Sequence, residues 1–147
     1  MRPTMGRTIV GGFVATVLFT LFLYYVAPFM LGGPINIAAM LAGLFRTTVA
    51  VGLFLHFILG TIIFPMIYAY VVFRIVSGSA WTRGLVFGLL LWLLAETIFV
   101  PLVGGGVFHT AQGGIAAVIA VLIGHVIYGI VLGVIAGGPR RPIATAG

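Results

Sequence analysis

The sequence predicts an all-α membrane protein: four transmembrane helices forming a bundle of two repeated hairpins, with a short interfacial helix on the outer side. Three observations predict it. Of 147 residues, 63% are hydrophobic and only 5% are charged, where a soluble domain carries about a quarter charged residues. The mean hydropathy is +1.35. Four apolar runs each reach the roughly 20 residues that cross the hydrocarbon as a helix.

The first run spans about Thr8 to Leu31, the second Thr47 to Phe73, the third Gly84 to Val103 and the fourth Gly114 to Ala136. Glycine, serine and proline close each one: Gly32-Gly33-Pro34, Ser77-Gly78-Ser79, Gly104-Gly105-Gly106 and Gly137-Gly138-Pro139. Span 1 has an Arg-flanked start like a signal peptide. Its apolar stretch is too long for that role, so it reads as a retained span. The whole chain, 1–147, reads as one four-helix transmembrane domain.

Composition removes several chemistries. The chain has no cysteine, which excludes disulfides and Cys-ligated zinc or iron–sulfur centres. Glu96 is the one carboxylate side chain, so no paired-carboxylate mechanism can operate. With short loops and no extramembrane domain, no self-contained active site and no catalytic residue are expected. The net charge of +6 does not point to nucleic acid, because the arginines flank the apolar runs. Arg2, Arg7, Arg74, Arg83, Arg140 and Arg141 fall on one side of a four-span chain and Arg46 alone on the other. The positive-inside rule then puts both termini in the cytoplasm, as expected for a multi-pass protein of a prokaryotic inner membrane.

The two outer connections differ. Asn36 is placed to cap a helix over about 37–45, too short to span and suited to the interface. The connection Gly104 to Gly114 is rich in glycine and reads as a flexible loop, with His109 solvated in it. An internal repeat links the hairpins. Pro28 with Gly32-Gly33 matches Pro101 with Gly104-Gly105, and His56-x-x-x-Gly60 matches His125-x-x-x-Gly129. Both halves begin on the same side, so the repeat is parallel.

Three stretches carry a resemblance: Ile123 to Gly133 around His125, His56-x-x-x-Gly60, and Arg83-Gly84-x-x-x-Gly88. Through them most of the chain resembles a family of small four-span membrane proteins of bacteria and archaea. The resemblance implies a four-helix membrane fold and brings no activity with it.

Ionisable side chains at membrane depth mark functional candidates. At about 1.5 Å of rise per residue, His125 lies about 22 Å from Arg140, Glu96 about 20 Å from Arg83, and His56 about 15 Å from Arg46. All three share one layer near the midplane. Gly52 and Gly60 share the helical face of His56, and Gly129 and Gly133 that of His125. This combination suits one bis-histidine haem b, with His56 and His125 as iron ligands and Gly60 and Gly129 giving clearance. In that respect the chain is similar to b-type cytochromes, whose ligands also come from the second and fourth helices. It departs from the respiratory pattern of two histidines per ligand helix, so one haem at most is expected.

A second reading is structural. Glycines four apart, as in Gly84-x-x-x-Gly88 and Gly129-x-x-x-Gly133, are a usual signature of close helix packing in membranes. A neutral His can hydrogen-bond across helices, with Glu96 as its proton or polar partner. A third reading gives the His56, Glu96 and His125 set a transition metal or a proton. Tyr24, Tyr25, Phe45, Tyr68, Tyr70 and Trp81 are expected in interfacial belts, Trp92 in the core, and Pro65 at a kink.

The sequence is therefore read as a small integral subunit of a larger membrane complex of electron-transfer or respiratory type, holding one haem b. The alternatives are a structural accessory subunit or assembly factor without cofactor, and a proton or metal handler. Expected partners are lipids, other membrane subunits, or a second copy through the glycine faces; no nucleic acid is expected.

Overall fold

The computed structural model describes residues 3–137, and among those residues it contains helices and connecting turns with no strand. Four helices are long and apolar enough to cross a membrane: α1 (Met5–Leu31), α3 (Val49–Ile75), α4 (Ala80–Leu102) and α5 (Gly114–Ala136). Between α1 and α3 lies α2 (Ile37–Phe45), the expected short helix. A single 3₁₀ turn, Val107–His109, interrupts the connection from α4 to α5. The protein is a multi-pass, four-helix membrane protein. Arg2, Arg140 and Arg141 lie outside the described residues.

Helix starts are set by caps, and hydropathy sees these poorly. Thr4, Thr48 and Ser79 each accept a hydrogen bond from the backbone N–H three residues on, satisfying one of the orphan donors of a first turn. As a result α1 and α4 begin earlier than the apolar runs do, and α3 begins and ends two residues later. Asn36 caps α2 as expected, accepting from the Ala39 amide at 2.9 Å and from the Tyr24 hydroxyl at 2.6 Å.

The prolines are accommodated by a common device. Pro28, Pro65 and Pro101 each follow by two residues a π-helical segment: Phe22–Val26, Leu59–Ile63 and Ala95–Phe99. Proline has no N–H to give and crowds the carbonyl one turn back. A wider turn just before it takes up that conflict without breaking the span. The kink expected at Pro65 is thus part of a pattern shared by three spans, while α5 has neither proline nor π segment.

Packing is closest along α5, which lies against both α1 and α4. A Cβ on Gly129 would meet the Gly88 backbone N at 2.6 Å, and one on Gly133 the Gly84 Cα at 2.7 Å. The two glycine stripes are therefore consumed within the chain, each bringing α4 and α5 into backbone contact. At the α1 and α5 ends, the Arg7 guanidinium donates twice to the Ile135 carbonyl, at 2.9 and 2.7 Å, an acceptor left over in the last turn of α5. The core joins Phe19, Leu23, Tyr68, Phe87, Tyr128 and Leu132 from all four spans. Tyr68 corrects the interfacial expectation: it is fully buried, with its ring 5.6 Å from that of Phe87. Tyr25, Phe45, Tyr70 and Trp81 are exposed, as belt residues are.

Candidate functional site

A cavity of about 300 Å³ opens between the spans at the level of the histidine layer. Its wall is almost wholly apolar. Phe19 and Leu23 come from α1, Met40 and Leu41 from α2, Leu59 and Phe64 from α3, Leu91 and Ile98 from α4, and Val121 from α5. His56, His109, His125 and Tyr128 are the ionisable side chains that line it. A concave, apolar site with a few convergent polar groups is the usual form of a small-molecule site.

His56 and His125 do come together here. Both rings stand against Phe19, with centroids 5.9 and 4.9 Å from it. Their hydrogen bonds fix which nitrogen carries the proton. The Thr20 hydroxyl donates to the Thr16 carbonyl at 2.7 Å, so its 2.9 Å contact with His56 Nε2 must have the imidazole as donor. His56 thus keeps Nδ1 as an acceptor. His125 Nδ1 lies 2.9 Å from the Val121 carbonyl, to which it can only donate, leaving Nε2 as the acceptor.

Glu96 does not join them. It is completely buried in the π segment of α4, and its carboxylate faces His109 Nε2 at 3.5 Å. His109 was expected in solvent; the structure buries it to 7% exposure. Two consecutive residues with left-handed backbone, Phe108 at φ 50° and His109 at φ 53°, turn the ring inward. Non-glycine residues rarely take that conformation, and it costs on the order of 1 kcal/mol or more each. Gly106 and Gly113 bracket the turn, both also at positive φ. Phe108 stacks edgewise on Trp92, 5.8 Å between centroids, and Trp92 Nε1 donates to the Val118 carbonyl at 3.3 Å. Burial pushes the His109 imidazole below its ordinary range, opposed by its bond to the Gln112 carbonyl at 3.2 Å. One signal for this partner stood in the sequence: a lone carboxylate at membrane depth needs a polar neighbour, and the adjacent loop holds a histidine.

The expected haem can be tested against these residues, and they do not fit it. Gly60 and Gly129 leave no clearance: a Cβ on Gly60 would lie 3.0 Å from Thr16 Cγ2, and Gly129 is closed by α4. His56 Nε2 is committed to Thr20, and the Phe19 ring stands against both imidazoles. A His56, Glu96 and His125 metal set is also not assembled, since among the described residues no three His, Cys, Asp or Glu side chains converge.

Comparison with known families gives one match. Residues 3–140 match the model of a family of unknown function, DUF6789. The chain belongs to that family. The match covers all four spans, so the cavity, the histidine pair and the buried Glu96 all lie inside the region that defines a DUF6789 protein. No curated protein and no solved structure matches the chain.

Proposed function

We propose that this protein is a small subunit of a larger membrane assembly, and that it holds a small, largely apolar, hydroxyl-bearing molecule of the bilayer in the cavity between His56 and His125. The observation that carries this reading is the pairing of an apolar cavity with two imidazoles of fixed tautomer. Each histidine has one nitrogen spent on a protein acceptor and one left as an acceptor itself. A ligand that matches them donates hydrogen bonds, and its remainder is greasy. Phenols, quinols and long-chain alcohols meet both conditions. A quinol would tie the protein to electron transfer, the role expected from its sequence, and the partner subunits would supply the redox centres. The arginine distribution supports a prokaryotic inner membrane with both termini cytoplasmic.

The test is organic extraction and mass spectrometry of the protein isolated in mild detergent with its natural partners attached. A hydroxyl-bearing lipid should be retained in about one-to-one ratio and lost from His125→Phe. Retention of bulk phospholipid alone, equal in the wild type and the variant, contradicts the reading.

The glycine stripes favour a second reading. They close α4 onto α5 inside one chain, and His56 ties α3 to α1 through Thr20; in that reading His56 is an interhelical tie in a ligand-free accessory subunit. Equal stability of His56→Phe and the wild type in detergent would count against that alternative.

A further inference from the structure

Glu96 is the chain's one carboxylate side chain, and it is wholly buried. Neither of its oxygens has a hydrogen-bond partner among the described residues, nor does His109 Nε2. An orphaned buried carboxylate is among the most costly arrangements in a membrane protein. The atoms facing each other explain how it is tolerated. His109 Nδ1 is held by the Gln112 carbonyl and can only donate there, so in the neutral ring Nε2 is a bare acceptor. The Glu96 oxygen 3.5 Å away is also an acceptor when ionised. Two acceptors cannot stabilise each other, and a proton between them removes the conflict.

We propose that Glu96 and His109 share one proton and form a proton-binding site between the cavity and the α4–α5 connection. The proton sits on the carboxyl oxygen and is donated to Nε2; transfer to the imidazole gives an ion pair with the same proton count, so the proton moves within the pair without changing its net charge. His109 belongs to both surroundings, lining the cavity on one side and standing in the connecting turn on the other. Glu96 does not line the cavity. The left-handed Phe108 and His109 backbone is strain held at the point where the ring must meet the carboxylate, as strain commonly is at functional positions. The titratable groups on the elements packed around the pair are His125 and Tyr128 on α5 and, across the cavity, His56 on α3. None hydrogen-bonds to either member: His125 is bonded to Val121, Tyr128 to Gly60 and His56 to Thr20. The site stands whether or not the cavity holds a ligand.

Infrared spectroscopy of the purified full chain tests this directly, because a single glutamate makes assignment simple. Protein labelled with ¹³C-carboxyl glutamate should show, at neutral pH, a protonated-acid C=O band that shifts with the label and moves on exchange into D₂O. The band should be absent from Glu96→Gln. In His109→Gln it should shift in frequency and in the pH at which it disappears. A label-sensitive carboxylate band with no acid band at neutral pH overturns the proposal. So does an acid band whose frequency and pH dependence are the same in His109→Gln as in the wild type. The labelled wild type answers the first question even if a variant fails to fold.

Discussion

The Tyr128 hydroxyl donates a 2.6 Å hydrogen bond to the carbonyl of Gly60, across 68 positions of sequence. Gly60 lies five residues before Pro65, inside the π segment that precedes it. In such a turn its carbonyl would look to residue 65 for a donor, and proline has none. Tyr128 supplies the missing hydrogen from α5, so the irregularity of α3 is satisfied by the helix that also carries His125.

Removing that donor should be felt. Tyr128→Phe leaves a buried carbonyl unpaired without changing shape, and should destabilise the fold by about 1 kcal/mol. Reversible unfolding in mixed detergent micelles measures this.

The α4–α5 contact leaves no room for a side chain. Gly129→Leu must separate the two helices at Gly84 and Gly88, and should cost about 3 kcal/mol or abolish the folded population. Gly43→Ala, where nothing approaches within 4 Å of the added methyl, should cost nothing in the same unfolding assay and stabilise by up to about 1 kcal/mol.

Asn36 both caps α2 and receives the Tyr24 hydroxyl, and α2 supplies Met40 and Leu41 to the cavity wall. Asn36→Ala should cost about 1 kcal/mol and loosen that wall. Amide hydrogen exchange should speed up across Ile37–Phe45 and remain unchanged in α5.

A bis-histidine haem demands clearance that Gly60 and Gly129 do not provide and a His56 nitrogen that Thr20 already holds. The dithionite-reduced minus oxidised spectrum of protein isolated with its partners should show no α or Soret band that depends on His56 and His125. Bands lost in both His56→Ala and His125→Ala would contradict this.

Much of the fold was legible in the sequence because length and hydrophobicity alone determine a span. Span 4 was read to its ends, since Gly113 and Gly137 punctuate a run with no competing signal. The other starts were misplaced by two to four residues (Thr4, Thr48 and Ser79 set them, and caps are local polar features that hydropathy averages away). Asn36 was readable because its cap follows a Gly-Gly-Pro break. Tyr68 was misread because counting from a helix end gives depth and not direction, and direction decided its burial. The glycine spacing allowed two readings, clearance for a haem at Gly60 and Gly129 and a packing face, and spacing cannot say what covers a glycine; here α4 and α5 cover each other. The histidine layer was found, while the partner of Glu96 was not. Pairing His109 with it depends on two left-handed residues in a turn, and no residue type announces such a turn when the residues are phenylalanine and histidine.

A cavity at His56 and His125 that holds a small hydroxyl-bearing membrane molecule should keep it when the protein leaves the bilayer. Native mass spectrometry of the protein released from mild detergent measures that most directly, comparing the wild type with Ala95→Phe, which fills the cavity from α4. The wild type should carry an adduct of one defined small-molecule mass, largely absent from the variant. A wild-type spectrum showing the bare chain mass alone, under conditions gentle enough to retain partner subunits, would contradict it.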